Sequence, residues 1–185
     1  MAIGYAEQQG DDLMQTLRGS YRGWADCCRL SNPMVQVVVT PAAGARVIVF
    51  AYQGQNVLFV DEQANGLTLA DDANWMPWDG AAPDTIAPGG GGSELAHIWL
   101  GGYRVLEHSP LYLKCCSRDN QAAGLRMEKE FILDPQRPLL TLRRTITNLR
   151  QAPARWSFWE RTLVPGGSSL AVAPLNPGSH YQPSG

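Results

Sequence analysis

The sequence predicts an all-β fold, a sandwich or barrel of antiparallel strands. Three observations carry that prediction. Between Leu125 and Thr147 the chain alternates with period 2: Leu125, Met127, Phe131 and Leu133 interleave with Arg126, Glu128, Glu130 and Ile132, and Leu140, Leu142 and Ile146 with Thr141, Arg143, Thr145 and Thr147. Such alternation sets one row of side chains on a core and the other on a second surface. The 19 Gly and 13 Pro fall between apolar runs, as the turns of a many-stranded fold require. Charged residues make up 17% of the chain, below the roughly 25% of an average domain. At 185 residues the chain suits one domain that buries roughly 70% of its unfolded surface.

Taken in order, residues 1–19 are polar and read as a peripheral segment, with Asp11 to Arg18 as a short helix carrying Leu13 and Leu17 on one side. The sandwich is expected over 20–174. Tyr21 to Trp24 leads into a strand at Ala25–Leu30, and Ser31-Asn32-Pro33 turns the chain. Val35–Thr40 is a strand whose unbroken valines point to burial on both faces. Strands at Ala45–Tyr52 and Val57–Val60 flank a hairpin loop at Gln53–Asn56. Asp61 to Ser93 lacks periodicity, and loops of that length are usually functional or disordered. With Trp75 and Trp78 inside it, this loop is expected to fold over one face of the sheet. Strands resume at Ala96–Leu100, Tyr103–His108 and Leu111–Ser117, followed by the long meander from Leu125, a strand at Trp156–Val164 and a last one at Leu170–Ala173. Residues 175–185 read as a loop-like tail.

Several function classes are excluded. A net charge of -2 gives no electrostatic case for nucleic acid or an anionic membrane. No apolar run reaches the ~20 residues of a spanning helix, and Met1 to Gly10 has no signal-peptide pattern, so the expected location is the cytoplasm. Gly89 to Gly92 lacks the Lys and Ser/Thr of a phosphate-binding loop, no zinc spacing occurs and no cofactor is expected. Cys27-Cys28 and Cys115-Cys116 are adjacent pairs whose side chains point to opposite faces of a strand, so neither pair makes a metal site by itself. Buried free thiols and a disulfide between the pairs both fit the sequence.

The strand Trp156–Val164 is the most informative stretch. Trp156, Phe158, Glu160 and Thr162 share one face, and Ser157, Trp159, Arg161 and Leu163 the other. A Trp ring beside a charged or hydrogen-bonding group suits a sugar: the ring stacks on the apolar sugar face and the polar group takes hydroxyls. A core aromatic cluster rimmed by an ion pair fits the same residues. His97 follows the glycine run and is a candidate general acid or base, and Glu94, Asp84 and Glu160 are candidate carboxylates for a pair. The candidate ligand-binding set is Trp159, Arg161, Glu160, Glu94, His97, Trp75 and Trp78, and the candidate catalytic groups are His97, Glu160 and Glu94; no metal ligand is expected.

Tyr21-Arg22-Gly23-Trp24, Arg29-Leu30-Ser31-Asn32, Val37-Val38-Val39-Thr40-Pro41 and Gly44-Ala45-Arg46-Val47, with Thr145-Ile146-Thr147-Asn148, the strand Trp156–Thr162 and Gly166-Gly167, resemble the galactose mutarotase-like (aldose 1-epimerase) superfamily, and within it a branch defined only as a domain of unknown function. The resemblance runs over most of residues 20–180. It implies an antiparallel supersandwich with a sugar site on a concave face. In aldose 1-epimerases a His on the strand after the Thr-Asn motif is the general acid and a late Glu the general base. By position the acid should lie near Trp159 to Arg161, where this sequence has no His; the late Glu is also missing, since family members run on well beyond Pro174. The resemblance thus implies a sandwich incomplete at its C-terminus, whose open sheet edges favour self-association.

The leading expectation is a carbohydrate-binding sandwich, with a sugar or oligosaccharide as partner, that lacks the epimerase acid/base pair. The alternatives are an aldose 1-epimerase-like or other carbohydrate-active enzyme that uses His97 or Glu160 as acid, and a structural module acting through protein contacts.

Overall fold

A computed structural model describes residues 16–69, 79–86, 93–167 and 178. Among the described residues, eleven strands form two antiparallel sheets. The larger runs β1 (Arg18–Tyr21), β2 (Trp24–Ser31), β3 (Val35–Thr40), β4 (Arg46–Tyr52), β6 (Ala81–Ile86) and β11 (Ser157–Thr162), with the two-residue β5 (Gln55–Asn56) beside β4. The smaller is ordered β10 (Leu140–Asn148), β9 (Leu125–Leu133), β8 (Tyr112–Cys116) and β7 (Arg104–Ser109). The protein is an all-β sandwich.

The main core lies between the sheets. Cys28, Leu30, Val37, Val39 and Val47 from the larger sheet meet Leu113, Cys115, Phe131 and Leu133 from the smaller. The period-2 pattern sets this up: along β9, Leu125, Met127, Lys129, Phe131 and Leu133 are buried and the residues between them half-buried. The valine run on β3 is buried on both faces. Val37 and Val39 join the main core, while Val38 joins a second cluster with Trp24, Cys27 and Ile48 on the other side of the sheet. The chain after Asp61 covers that second cluster. Leu67 accepts a 2.8 Å hydrogen bond from Trp24 Nε1, and Gly66 lies against Gly23 so closely that a Cβ on Gly23 would meet its Cα at 3.0 Å. The described part of the long loop therefore folds over a sheet face, as expected; Trp75 and Trp78 lie outside the described residues.

Other expectations need correction. Ala81–Ile86 is a strand inside the stretch read as loop. It pairs with β11 along its whole length but with β4 only at Ala81, so Pro83 has one neighbour and no ladder partner to disappoint on its other side. Ala96–Leu100 is not a strand: Ala96–Trp99 is a single helical turn, α1, too short for periodicity to tell helix from strand. Val57–Val60 is not a strand either. Val57 and Phe59 are exposed, and Phe59 donates one backbone bond, to Leu163, without a ladder. The boundary placed at residue 20 falls inside β1, whose polar Arg18–Tyr21 stretch hides a strand that pairs with β2. The strand at 170–173, most of the expected helix at 11–18 and the tail apart from residue 178 lie outside the described residues. All four cysteines are buried and none is in a disulfide. Burial pushes the Cys28 thiol up to about 11 and the Cys115 thiol up to about 12. Among the described residues, no helix is long and apolar enough to cross a membrane.

Candidate functional site

Pairing of β6 with β11 sets Asp84 opposite Trp159, with Arg161 two residues further on the same face. That face looks into the sandwich. Asp84 is fully buried and is reached from the other sheet by Lys129 Nζ at 3.1 Å and from its own sheet by an Arg161 terminal nitrogen at 3.4 Å. Lys129 also donates to the Gly44 carbonyl at 2.7 Å and sits 4.8 Å from the centre of the Tyr103 ring, whose hydroxyl donates to Ile98. Burial lowers the Lys129 pKa, and the Asp84 carboxylate pulls against that. Burial, with Asp84 second, holds the Tyr103 phenol well above its ordinary value. Beside this cluster Arg144, the cross-strand neighbour of Lys129, donates to the Asp84 carbonyl and pairs with Glu160 at 2.7 Å, its guanidinium 4.4 Å from the Phe158 ring centre.

A second buried pair, Arg46 with Asp79, lies under Trp24, and Arg46 Nε donates to the Ala43 carbonyl at 3.1 Å. Burial lowers the Arg46 pKa. Both groups of charges sit within the fold. Isolated charges at such sites would be very costly, so their mutual pairing is what permits them.

The expected site residues therefore separate. Trp159 packs edge-on against Trp99, ring centres 5.9 Å apart and planes at 72°, and belongs to a core cluster with Leu95, Ile98 and Met127. Arg161 lies over the Trp159 ring at 5.0 Å and is committed to Asp84. The strand pattern places Trp159 with Arg161, and among the described residues the pair packs against Trp99 and Asp84. Asp84 is likewise engaged by two cations, Lys129 and Arg161. Glu160 is half-exposed on the opposite face. His97 is exposed on α1, and its ring makes no hydrogen bond or ion pair among the described residues. Among the described residues, no hydrogen bond or ion pair joins the expected catalytic trio His97, Glu160 and Glu94; Glu160 is paired with Arg144 instead.

Glu94 instead joins a different groove of about 660 Å³, lined by Trp156, Arg150, Arg155, Pro153 and Ala123. Two asparagines build it. Asn120 Nδ2 donates to the Glu94 carbonyl at 2.5 Å while its Oδ1 accepts from Ala123, tying the turn that carries Glu94 to the 120–124 turn. Asn148, at the end of β10, donates to the Ala152 carbonyl and accepts from the Arg150 amide, shaping the loop that carries the arginine. Arg150 is steadied by a 2.8 Å bond to the Ala122 carbonyl. Trp156 packs one side on the Leu95–Met127 cluster and is half-buried, and its Nε1 makes no hydrogen bond among the described residues. Half-buried Trp, carboxylate and guanidinium in one concavity can stack on an apolar ring face, accept from hydroxyls and donate to them. Among the described residues, no group of His, Cys, Asp or Glu is placed to hold a metal ion.

Lys129, Arg144, Arg46 and Asp79 are not among the residues that the sequence marks as candidates. Lys129 left a legible signal, because it occupies an inward position of the β9 alternation, where an apolar residue is expected. Arg150 and Arg155 lie in a loop and carry no such mark.

Comparison with known proteins adds the fold. No family model matches the chain, and no curated protein sequence matches it. Its structure is similar to the crystal structure of the Slr1438 protein from Synechocystis sp. PCC 6803, with a TM-score of 0.51 at 15% identity, over 70% of this chain and 51% of that one. The chain thus spans about half the length of that protein, and the likeness is one of fold.

Proposed function

We propose that this protein is a carbohydrate-binding β-sandwich of the galactose mutarotase-like superfold that does not use the epimerase acid/base pair, and that it takes a neutral sugar or oligosaccharide in the Trp156 groove. The observation that carries the reading is the convergence of Trp156, Glu94, Arg150 and Arg155 on one concavity, whose volume lies within the roughly 300–1,000 Å³ of small-molecule sites. The site residues are accordingly Trp156, Glu94, Arg150 and Arg155, with Trp159 and Arg161 behind them as core. The pairing of Glu160 with Arg144 at 2.7 Å supports binding over acid–base catalysis. Self-association belongs to the same proposal: β1 and β11 end one sheet and β10 and β7 the other, and each of these end strands has a side unpaired by any described strand. A cytoplasmic location belongs to the same proposal.

Tryptophan fluorescence titrated with mono- and oligosaccharides tests the reading. A saturable change that is lost in Trp156→Phe with the fold intact is expected. No response to any sugar by the folded protein would refute it. Polarimetry on freshly dissolved glucose and galactose separates the enzyme alternative, and a rate equal to buffer alone is expected. Size-exclusion chromatography with light scattering reads self-association, and a monomer at high concentration would remove that part.

A further inference from the structure

A second groove of about 810 Å³ opens on the other face of the smaller sheet, away from the Lys129 side. Cross-strand pairing aligns Arg104, Cys116 and Glu128 in one row across β7, β8 and β9, so all three share the face opposite to Cys115 and Lys129. Arg118, Asp119 and Arg126 complete the charged wall, and exposed Leu106 adds an apolar one.

The charges do not cancel. Asp119 is paired with Arg126 at 3.3 Å, and Glu128 with Lys114 at 3.0 Å. The guanidiniums of Arg104 and Arg118 make no hydrogen bond or ion pair among the described residues, and Arg126 Nε is buried without an acceptor. Two exposed, uncompensated forks and one orphaned donor therefore line one concavity. The planar guanidinium matches the oxygen spacing of a carboxylate or phosphate and donates two parallel hydrogen bonds to it. A solvated surface ladder is the ordinary fate of strand charges, and Lys114, Glu130 and Arg143 illustrate it nearby with mutual pairs. Arg104 and Arg118 depart from that pattern.

We propose that this groove binds a small-molecule oxyanion, the carboxylate or phosphate of a ligand, with Arg104 and Arg118 as the recognising pair. The site is separate from the Trp156 groove and stands whether or not that groove takes a sugar.

Isothermal titration calorimetry at low ionic strength tests it with inorganic phosphate, glucuronate and glucose 6-phosphate, with glucose as the uncharged control. Binding of an anionic probe is expected, weakened by added salt. The arm that binds identifies the oxyanion. Arg104→Gln and Arg118→Gln should each weaken it about tenfold, the scale of one charge-assisted contact. Gly102→Leu gives an independent check. Gly102 lines the groove, and a Cβ there meets nothing within 4 Å, so the added side chain occupies the groove without displacing the fold and should abolish binding. Neither change should alter a neutral-sugar response that depends on Trp156. The proposal is overturned if none of the three anions binds, or if binding persists in the Arg104→Gln/Arg118→Gln double variant or in Gly102→Leu.

Discussion

Lys129→Met is the sharpest perturbation of this fold. The lysine is 1% exposed and holds two acceptors, Asp84 Oδ1 at 3.1 Å and the Gly44 carbonyl at 2.7 Å. Met fills nearly the same volume, so the change removes charge and hydrogen bonds with little cavity. Asp84 is then left buried with Arg161 at 3.4 Å as its remaining cation. Breaking a buried pair by removing one partner costs about 3–5 kcal/mol, and the surviving arginine places this case at about 3. In a chain of this size that is roughly 6–12 °C in Tm. Asp84→Asn should cost about as much, because it strands two buried cations. The double variant decides the matter. With both charges gone, neither is uncompensated by the other, so the combined loss should fall short of the sum of the single losses by about 2 kcal/mol. Urea unfolding at pH 7 measures all four proteins. Strictly additive losses would show that the two groups do not act on each other and that Lys129 is held by its packing alone.

Three further outcomes follow from the same geometry. Glu160→Gln should change stability by less than about 1 kcal/mol, because its pair with Arg144 is half-exposed, and the same urea assay reads it. Gly44→Ala should cost well over the about 1–2 kcal/mol of a left-handed residue, since its φ is +78° and a Cβ would lie 2.0 Å from the Trp99 carbonyl oxygen; Gly54→Ala, at φ +80° with nothing near, should show the backbone cost alone. Alkaline pH should unfold the protein through its thiols. Cys28 and Cys115 stand at about 11 and about 12 in the fold against an ordinary 9.0, so the unfolded chain loses these protons first. Their stabilisation is complete below pH 9 and declines as pH rises toward 11–12, by up to about 1.4 kcal/mol per pH unit for each thiol. Thermal unfolding of Cys28→Ala/Cys115→Ala from pH 8.5 to 10.5 should show a shallower decline than the parent, and an unchanged slope would refute the assignment.

The parts of the fold legible in the sequence were those where one rule acted alone. Alternation along β9 and β10 fixes which residues face the core, and turn residues bound the strands of the first half. Legibility failed where a tertiary partner overrode the local pattern. Ala81–Ile86 has no alternation and a proline, yet it is a strand because β11 supplies a full ladder for it. Arg18–Tyr21 reads as polar and is a strand because β2 does the same. Ala96–Trp99 is too short to declare itself, and what fixes it is burial of Ile98 and Trp99 rather than propensity.

The site divides along the same line, and the reason is chemical. A charged residue on a strand reads the same in sequence whether it meets water or a partner across the sandwich. Arg161 and Glu160 are adjacent and opposite in sign, and from the chain alone both suit a sugar. Their fates differ because Arg161 finds Asp84 inside, while Glu160 finds Arg144 at the outer edge. Asp84 itself comes from a stretch with no pattern, so nothing along the chain announces its claim on Lys129 and Arg161. What the alternation does announce is the anomaly at Lys129, a cation on the apolar row of β9. A charge at a core position requires a buried counter-charge somewhere in the chain. Among the acidic residues the one that meets that requirement had to come from a strand facing β9. Asp84 on the larger sheet meets it, and with Asp84 the Trp159–Arg161 face turns to the interior. The sugar reading then rests on Trp156, which is half-buried and lines one groove with Glu94.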